Sequence, residues 1–147
     1  MHTSSSAPAS PCHCVNLRRA ARAVSRYYDA HLAPSGLTVA QYSLLRALSR
    51  LEPATAGELG AALVLDRTTL VRNLRPLTER HFVAEVGAAE RRDRRAKPLA
   101  LTPAGRQALE IADPLWRLAQ EGVAEALGPD TLAAVLDGAT ALERLAP

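Results

Sequence analysis

The sequence predicts a mainly α-helical fold with one small β-hairpin, in the order four helices, hairpin, two helices. Three observations predict it. Apolar residues recur at three- and four-residue steps along most of the chain. Capping residues, prolines and glycines cut that pattern into six segments. Between residues 82 and 101 the helical period gives way to two short apolar runs around a polar, arginine-dense turn. At 147 residues, the chain has room for one substantial core and not two.

Residues 1–14 read as a flexible tail, with Ser4-Ser5-Ser6, Pro8 and Pro11. The first helix starts near Asn16. Leu17, Ala20, Ala21, Val24, Tyr27, Tyr28 and Leu32 share one side of it, and Arg18, Arg19, Arg22 and Arg26 the other. Pro34-Ser35-Gly36 ends it. Thr38 and Gln41 form a capping box for the second helix, whose expected buried stripe is Leu44, Leu45, Leu48 and Leu51. Glu52-Pro53 stops that helix. Thr55 and Glu58 form another capping box, opening a short third helix with Leu59 and Leu63 inward. Val64 and Leu65 make a tight connection, and Asp66 caps the fourth helix. There Leu70, Leu74 and Leu77 share a face, and Thr68, Arg72, Arg75 and Glu79 lie opposite. Pro76 removes a backbone hydrogen bond and is expected to bend the last turn. Residues 82–86 and 98–101 read as the two strands. Thr102-Pro103 starts a long helix to about Leu127, Gly128-Pro129 ends it, and a last helix runs from Asp130 to about Leu145.

Composition narrows the class. The aromatic residues are Tyr27, Tyr28, Tyr42, Phe82 and Trp116, so Leu, Ala and Val must build the core. The formal charge of +3 hides a strong separation. Six arginines against Asp29 give residues 1–50 a net +5, and Glu52 and Glu58 give residues 51–65 a net −2. Nine basic against five acidic groups give residues 66–97 a net +4, and three against seven give residues 98–147 a net −4. That pattern suits a polyanion-facing middle and an acidic end turned elsewhere. No apolar run is long enough for a membrane span, and residues 1–11 lack a signal peptide's basic start and apolar stretch. A cytoplasmic location is the expectation. Cys12 and Cys14 do not make a disulfide framework. No Gly-rich phosphate loop, nucleophile elbow or helical metal-ligand pair is present, so neither an enzyme nor a cofactor is expected.

Two short capped helices joined by a tight turn form a helix-turn-helix, with 55–63 supporting and 66–80 reading. Such a reading helix fits a major groove, and Arg67, Thr68, Thr69, Arg72, Asn73 and Arg75 carry the chemistry it needs. Arg pairs with guanine and Asn with adenine, while Thr reaches phosphates or a thymine methyl. A helix pair alone is equally the solvated surface of a bundle. The hairpin shifts that balance. Arg91, Arg92, Arg94 and Arg95 crowd its tip, and a minor groove attracts inserted arginine. Asp93 stands two residues from Arg95 and is expected to brace its guanidinium. The expected architecture is therefore a winged helix-turn-helix. The rival is a winged helix that binds protein, which would not need the arginine-rich face or wing.

With these residues in view, the chain resembles the MarR family of winged-helix transcription factors from about residue 16 to 146. Asp93-Arg94-Arg95 followed by Leu101-Thr102-Pro103-Ala104-Gly105-Arg106 resembles the family's wing signature, and Asp66 to Arg72 its reading helix. His81 stands where the family usually has Gly, and Pro76 is unusual. The resemblance implies one domain over 15–147: dimerisation helices at 15–34 and 103–146, and the winged helix-turn-helix at about 38–102. It also implies a homodimer on a pseudo-palindromic double-stranded DNA site, acting as a repressor released by a ligand or oxidant. The wide apolar stripes of the last two helices point to a dimer independently.

Two effector sites are candidates. Cys12, His13 and Cys14 precede a helix with Arg18 and Arg19 in its first turn, a setting that favours thiolate. They read as a redox sensor, as part of a metal site completed by other ligands, or as an incidental tail. Arg18, Arg22, Arg26, Tyr27, Tyr28, His31, Tyr42 and Arg46 are candidates to line a cleft for a small aromatic acid, the alternative being core and solvated surface.

Overall fold

The computed structural model describes residues 9–87 and 97–146. Its elements are α1 (His13–Leu32), a 3₁₀ turn (Ala33–Ser35), α2 (Val39–Leu51), α3 (Ala56–Leu63), α4 (Arg67–Glu79), β1 (Val83–Glu85), β2 (Leu99–Leu101), α5 (Pro103–Leu127) and α6 (Pro129–Glu143). The mainly α fold with a two-stranded antiparallel hairpin is as the sequence predicts.

The caps explain most boundaries. Thr38 with Gln41 and Thr55 with Glu58 form complete capping boxes at α2 and α3. Asp66 and Thr102 accept the Thr69 and Gly105 amides to open α4 and α5. Gly36 closes the 3₁₀ turn at φ 73, where the absence of a Cβ removes the left-handed penalty. His81 holds a similar conformation at φ 58 beyond α4, as its place after the reading helix predicts.

Several expectations change. α1 starts at His13 with Cys12 as its cap, earlier than Asn16, so Cys14 lies in its first turn. The Asn16 side chain clamps Ser10, accepting from its amide at 2.9 Å and donating to its carbonyl at 2.7 Å. A local apolar period cannot register such a side-chain clamp. Leu51, the last residue of α2, is 45% exposed, and Leu17 and Val24 are exposed on α1, whereas the partly exposed Tyr27 reaches Gly122 of α5. The strands are three residues each, in the register Val83↔Leu101, Ala84↔Ala100, Glu85↔Leu99. Ala54 adds a one-residue bridge to Leu99, with hydrogen bonds of 3.0 and 2.7 Å. Pro76, expected to bend α4, does not end it: α4 runs through to Glu79, and α5 likewise runs through Pro114.

One core holds the described residues together. Leu44, Leu45 and Leu48 of α2 meet Leu59, Leu70 and Leu77 of the helix-turn-helix, Val83, Leu99 and Leu101 of the hairpin, and Leu109 and Ala112 of α5. α6 buries no residue within the protomer. Among the described residues, no helix is long and apolar enough to cross a membrane.

Candidate nucleic-acid interface

The turn between α3 and α4 is built by the backbone. Val64 adopts a left-handed conformation, φ 52 and ψ 47, and the Leu65 amide reaches back to the Gly60 carbonyl at 2.9 Å. This αL stop ends α3 abruptly and starts α4 three residues later. Asp66 then accepts both the amide and the hydroxyl of Thr69 at 2.8 Å. Those hydrogen bonds, the amide's first, hold the Asp66 carboxyl below its ordinary value.

Burial divides α4 sharply. Leu70 and Leu77 are locked in the core. Arg67, Thr68, Arg72 and Arg75 stand exposed on the outward side. The other two sequence-predicted residues sit at its flank. Thr69 is half-buried with its hydroxyl in the cap, and half-buried Asn73 donates to the Thr69 carbonyl at 2.9 Å. Arg75 pairs with Glu79 at 2.8 Å, both well exposed, and such a surface pair is cheaply released.

The hairpin is anchored on both sides. At its rising end Lys97 pairs with Glu85 at 3.2 Å, and the Val86 amide donates to the Pro98 carbonyl at 2.9 Å. At its base the Thr102 hydroxyl accepts the Gly105 amide and donates to the His81 carbonyl at 2.6 Å. The Thr102 amide donates to the Phe82 carbonyl at 3.0 Å. Gly105 is buried so tightly against Phe82 that a Cβ would overlap the Phe82 carbonyl oxygen. Arg80 closes the same corner, donating to the Gly36 carbonyl at 2.8 Å with its guanidinium 4.5 Å over the Phe82 ring. The predicted tip residues Arg91, Arg92, Asp93, Arg94 and Arg95 lie outside the described residues.

A family model described as the MarR family matches residues 35–96. The M. tuberculosis transcriptional regulator MosR, solved in complex with DNA, is 38% identical with a TM-score of 0.78. The match covers 92% of this chain and 99% of that one. The chain belongs to the MarR family. The transcriptional repressor CouR, solved on a 23-mer DNA duplex, is 28% identical with a TM-score of 0.78, covering 90% of this chain and 92% of that one. CouR is also solved bound to p-coumaroyl-CoA, at 27% identity and the same coverage and TM-score. Among curated proteins, none matches the chain. MarR-family members are DNA-binding transcription regulators, not enzymes.

In this MarR-family chain the candidate effector residues fall into two groups. Cys12, His13 and Cys14 are exposed at the start of α1. Among the described residues no group of three His, Cys, Asp or Glu side chains converges as a metal site. Arg18, Arg22 and Arg26 are exposed along α1, whereas Tyr28 and Tyr42 are buried against α5. The Tyr28 hydroxyl donates to Gln120, and the Tyr42 hydroxyl donates to Asp113 at 2.7 Å. Arg46 pairs with the same carboxylate at 3.1 Å, and Trp116 stacks on Tyr42 with ring centroids 5.6 Å apart. Burial, then the hydrogen bond to Asp113, pushes the Tyr42 phenol well above its ordinary value. His31 Nδ1 lies 2.9 Å from the Tyr27 carbonyl oxygen, and the two rings pack at 4.5 Å. The structure thus joins Tyr42 and Arg46, while Arg18, Arg22 and Arg26 are exposed along α1. Asp113 and Gln120 were not singled out from sequence, although with Trp116 they follow the helical period of α5.

Proposed function

We propose that the chain represses transcription as a homodimer that binds a pseudo-palindromic promoter site and is released by a small ligand or an oxidant. The observation that carries this reading is the outward side of α4. Arg67, Thr68, Arg72 and Arg75 stand together there while the opposite side is locked into the core. A rigidly held helix presenting guanidiniums is the device that reads a major groove. The 15–34 and 103–146 helices serve dimerisation and residues 38–102 serve DNA. The hairpin tip, Arg91 to Arg95, enters the adjacent minor groove with Asp93 bracing Arg95.

Two observations favour the dimer. α6 buries nothing in its own protomer, and Val135, Leu136 and Leu142 are exposed on it, as Leu118 is on α5. A twofold partner presenting the same surface would cover them. For release, a small aromatic acid is proposed between the dimerisation helices and the winged helix, with Arg18, Arg22, Arg26, Tyr28, His31 and Tyr42 as its candidate lining. An oxidant is proposed at Cys12 and Cys14, whose thiols are exposed at a helix N-terminus.

The test is DNA affinity across a salt series. Neutralising about 6–10 phosphates lowers affinity by roughly 10³–10⁵ between 50 and 200 mM salt. A slope of that size on a selected promoter duplex is expected. No binding at low salt would leave the protein-binding winged helix as the better reading.

A further inference from the structure

Among the described residues of α4, Val71 is the large apolar side chain left exposed, at 51%. Its neighbours one turn away, Arg67, Thr68 and Arg75, are polar or cationic, and together with Arg72 they line one shallow groove of about 650 Å³. An exposed valine in a helix interior gains little for folding, because its branched Cβ makes it a weaker helix former than alanine. On its other side Val71 borders a groove lined by Ala56, Gly60, Ala61, Leu65 and Leu74, while a protein surface seated over Arg67, Arg72 and Arg75 would have to desolvate three guanidiniums. A DNA major groove meets both demands. Phosphates flank it for the arginines, and the thymine 5-methyl is its apolar feature.

We propose that Val71 is a specificity-determining residue that packs against a thymine 5-methyl group in the major groove. The inference rests on the regulator reading above and deepens it. It adds thymine to the bases that the arginines select and locates it one turn from the Arg67 and Arg75 contacts.

The experiment uses the full chain and a duplex that it recovers from a random pool at low salt. Each thymine of the recovered half-site is replaced in turn by deoxyuridine, which deletes only the methyl group. At one thymine per half-site the wild-type chain is expected to lose roughly three- to fivefold in affinity, the worth of about one buried methyl. Val71→Ala, favourable to the helix, is expected to bind the thymine and uracil duplexes equally at that position. An undiminished uracil penalty in Val71→Ala, or no penalty at any thymine for the wild type, overturns the inference while leaving the regulator reading intact. Failure of the wild-type chain to recover any duplex overturns the regulator reading itself.

Discussion

Gly105 decides how closely the hairpin approaches α5. A Cβ there would meet the Phe82 carbonyl, which is backbone and fixed in place by the Thr102 amide. Gly105→Ala is therefore expected to cost about 1–3 kcal/mol, the usual range for overpacking a tight site, read as a lowered denaturant midpoint. Gly122 makes an instructive contrast. A Cβ there would meet the tip of the Tyr27 side chain, a partly exposed group rather than fixed backbone. The two glycines look alike in sequence. The Thr102-to-Gly105 spacing points to the first through the wing signature. The demand on the second comes from a residue 95 positions away, and no local pattern carries it. The same holds for Asp113, whose place among Tyr42, Arg46 and Trp116 depends on how α2 meets α5.

The helix boundaries were legible because caps are local. Thr38, Thr55, Asp66 and Thr102 each satisfy an amide three residues on, so composition and spacing suffice. The reading helix was legible for the same reason. Its two flank residues were less so, since Thr69 and Asn73 turn toward the cap and the backbone rather than fully outward. The Asp66 cap has a testable acid dependence. Its folded carboxyl titrates below the ordinary 3.8, so the stability it contributes is present above that value. That stability is lost as pH falls through the lower folded value. Asp66→Ala is expected to be less stable than the wild type at neutral pH, with the gap closing in acid melts below about pH 3.8. A gap unchanged with pH would show that the carboxylate charge contributes nothing to the cap.

Exposed large apolar side chains recur on α1, α5 and α6, among them Leu17, Val24, Ile111, Leu118, Val135 and Leu136. Charge follows this distribution only in part: it is positive at α4 and negative over α5 and α6, but α1 is also rich in arginine. Leu136 is 57% exposed. Leu136→Glu is expected to shift the proposed dimer to monomer in sedimentation, with helix content unchanged because the side chain is mostly exposed in its own protomer. An intact dimer would move the interface away from α6.

α5 is a single 25-residue helix seated against its neighbours at several points along its length. Near its start Gly105 presses on the hairpin, at its middle Asp113 is held by Tyr42 and Arg46, and further on Gly122 receives Tyr27. From Gly105 to Gly122 it spans about 25 Å at 1.5 Å per residue. Over that span a tilt of about 10° displaces one end by roughly 4 Å relative to the other, about the rise of one base pair. The helix is in this sense a ruler. In the proposed dimer, a shift of its seat against α1 or α2 would reset the distance at which two copies of α4 sit along one duplex.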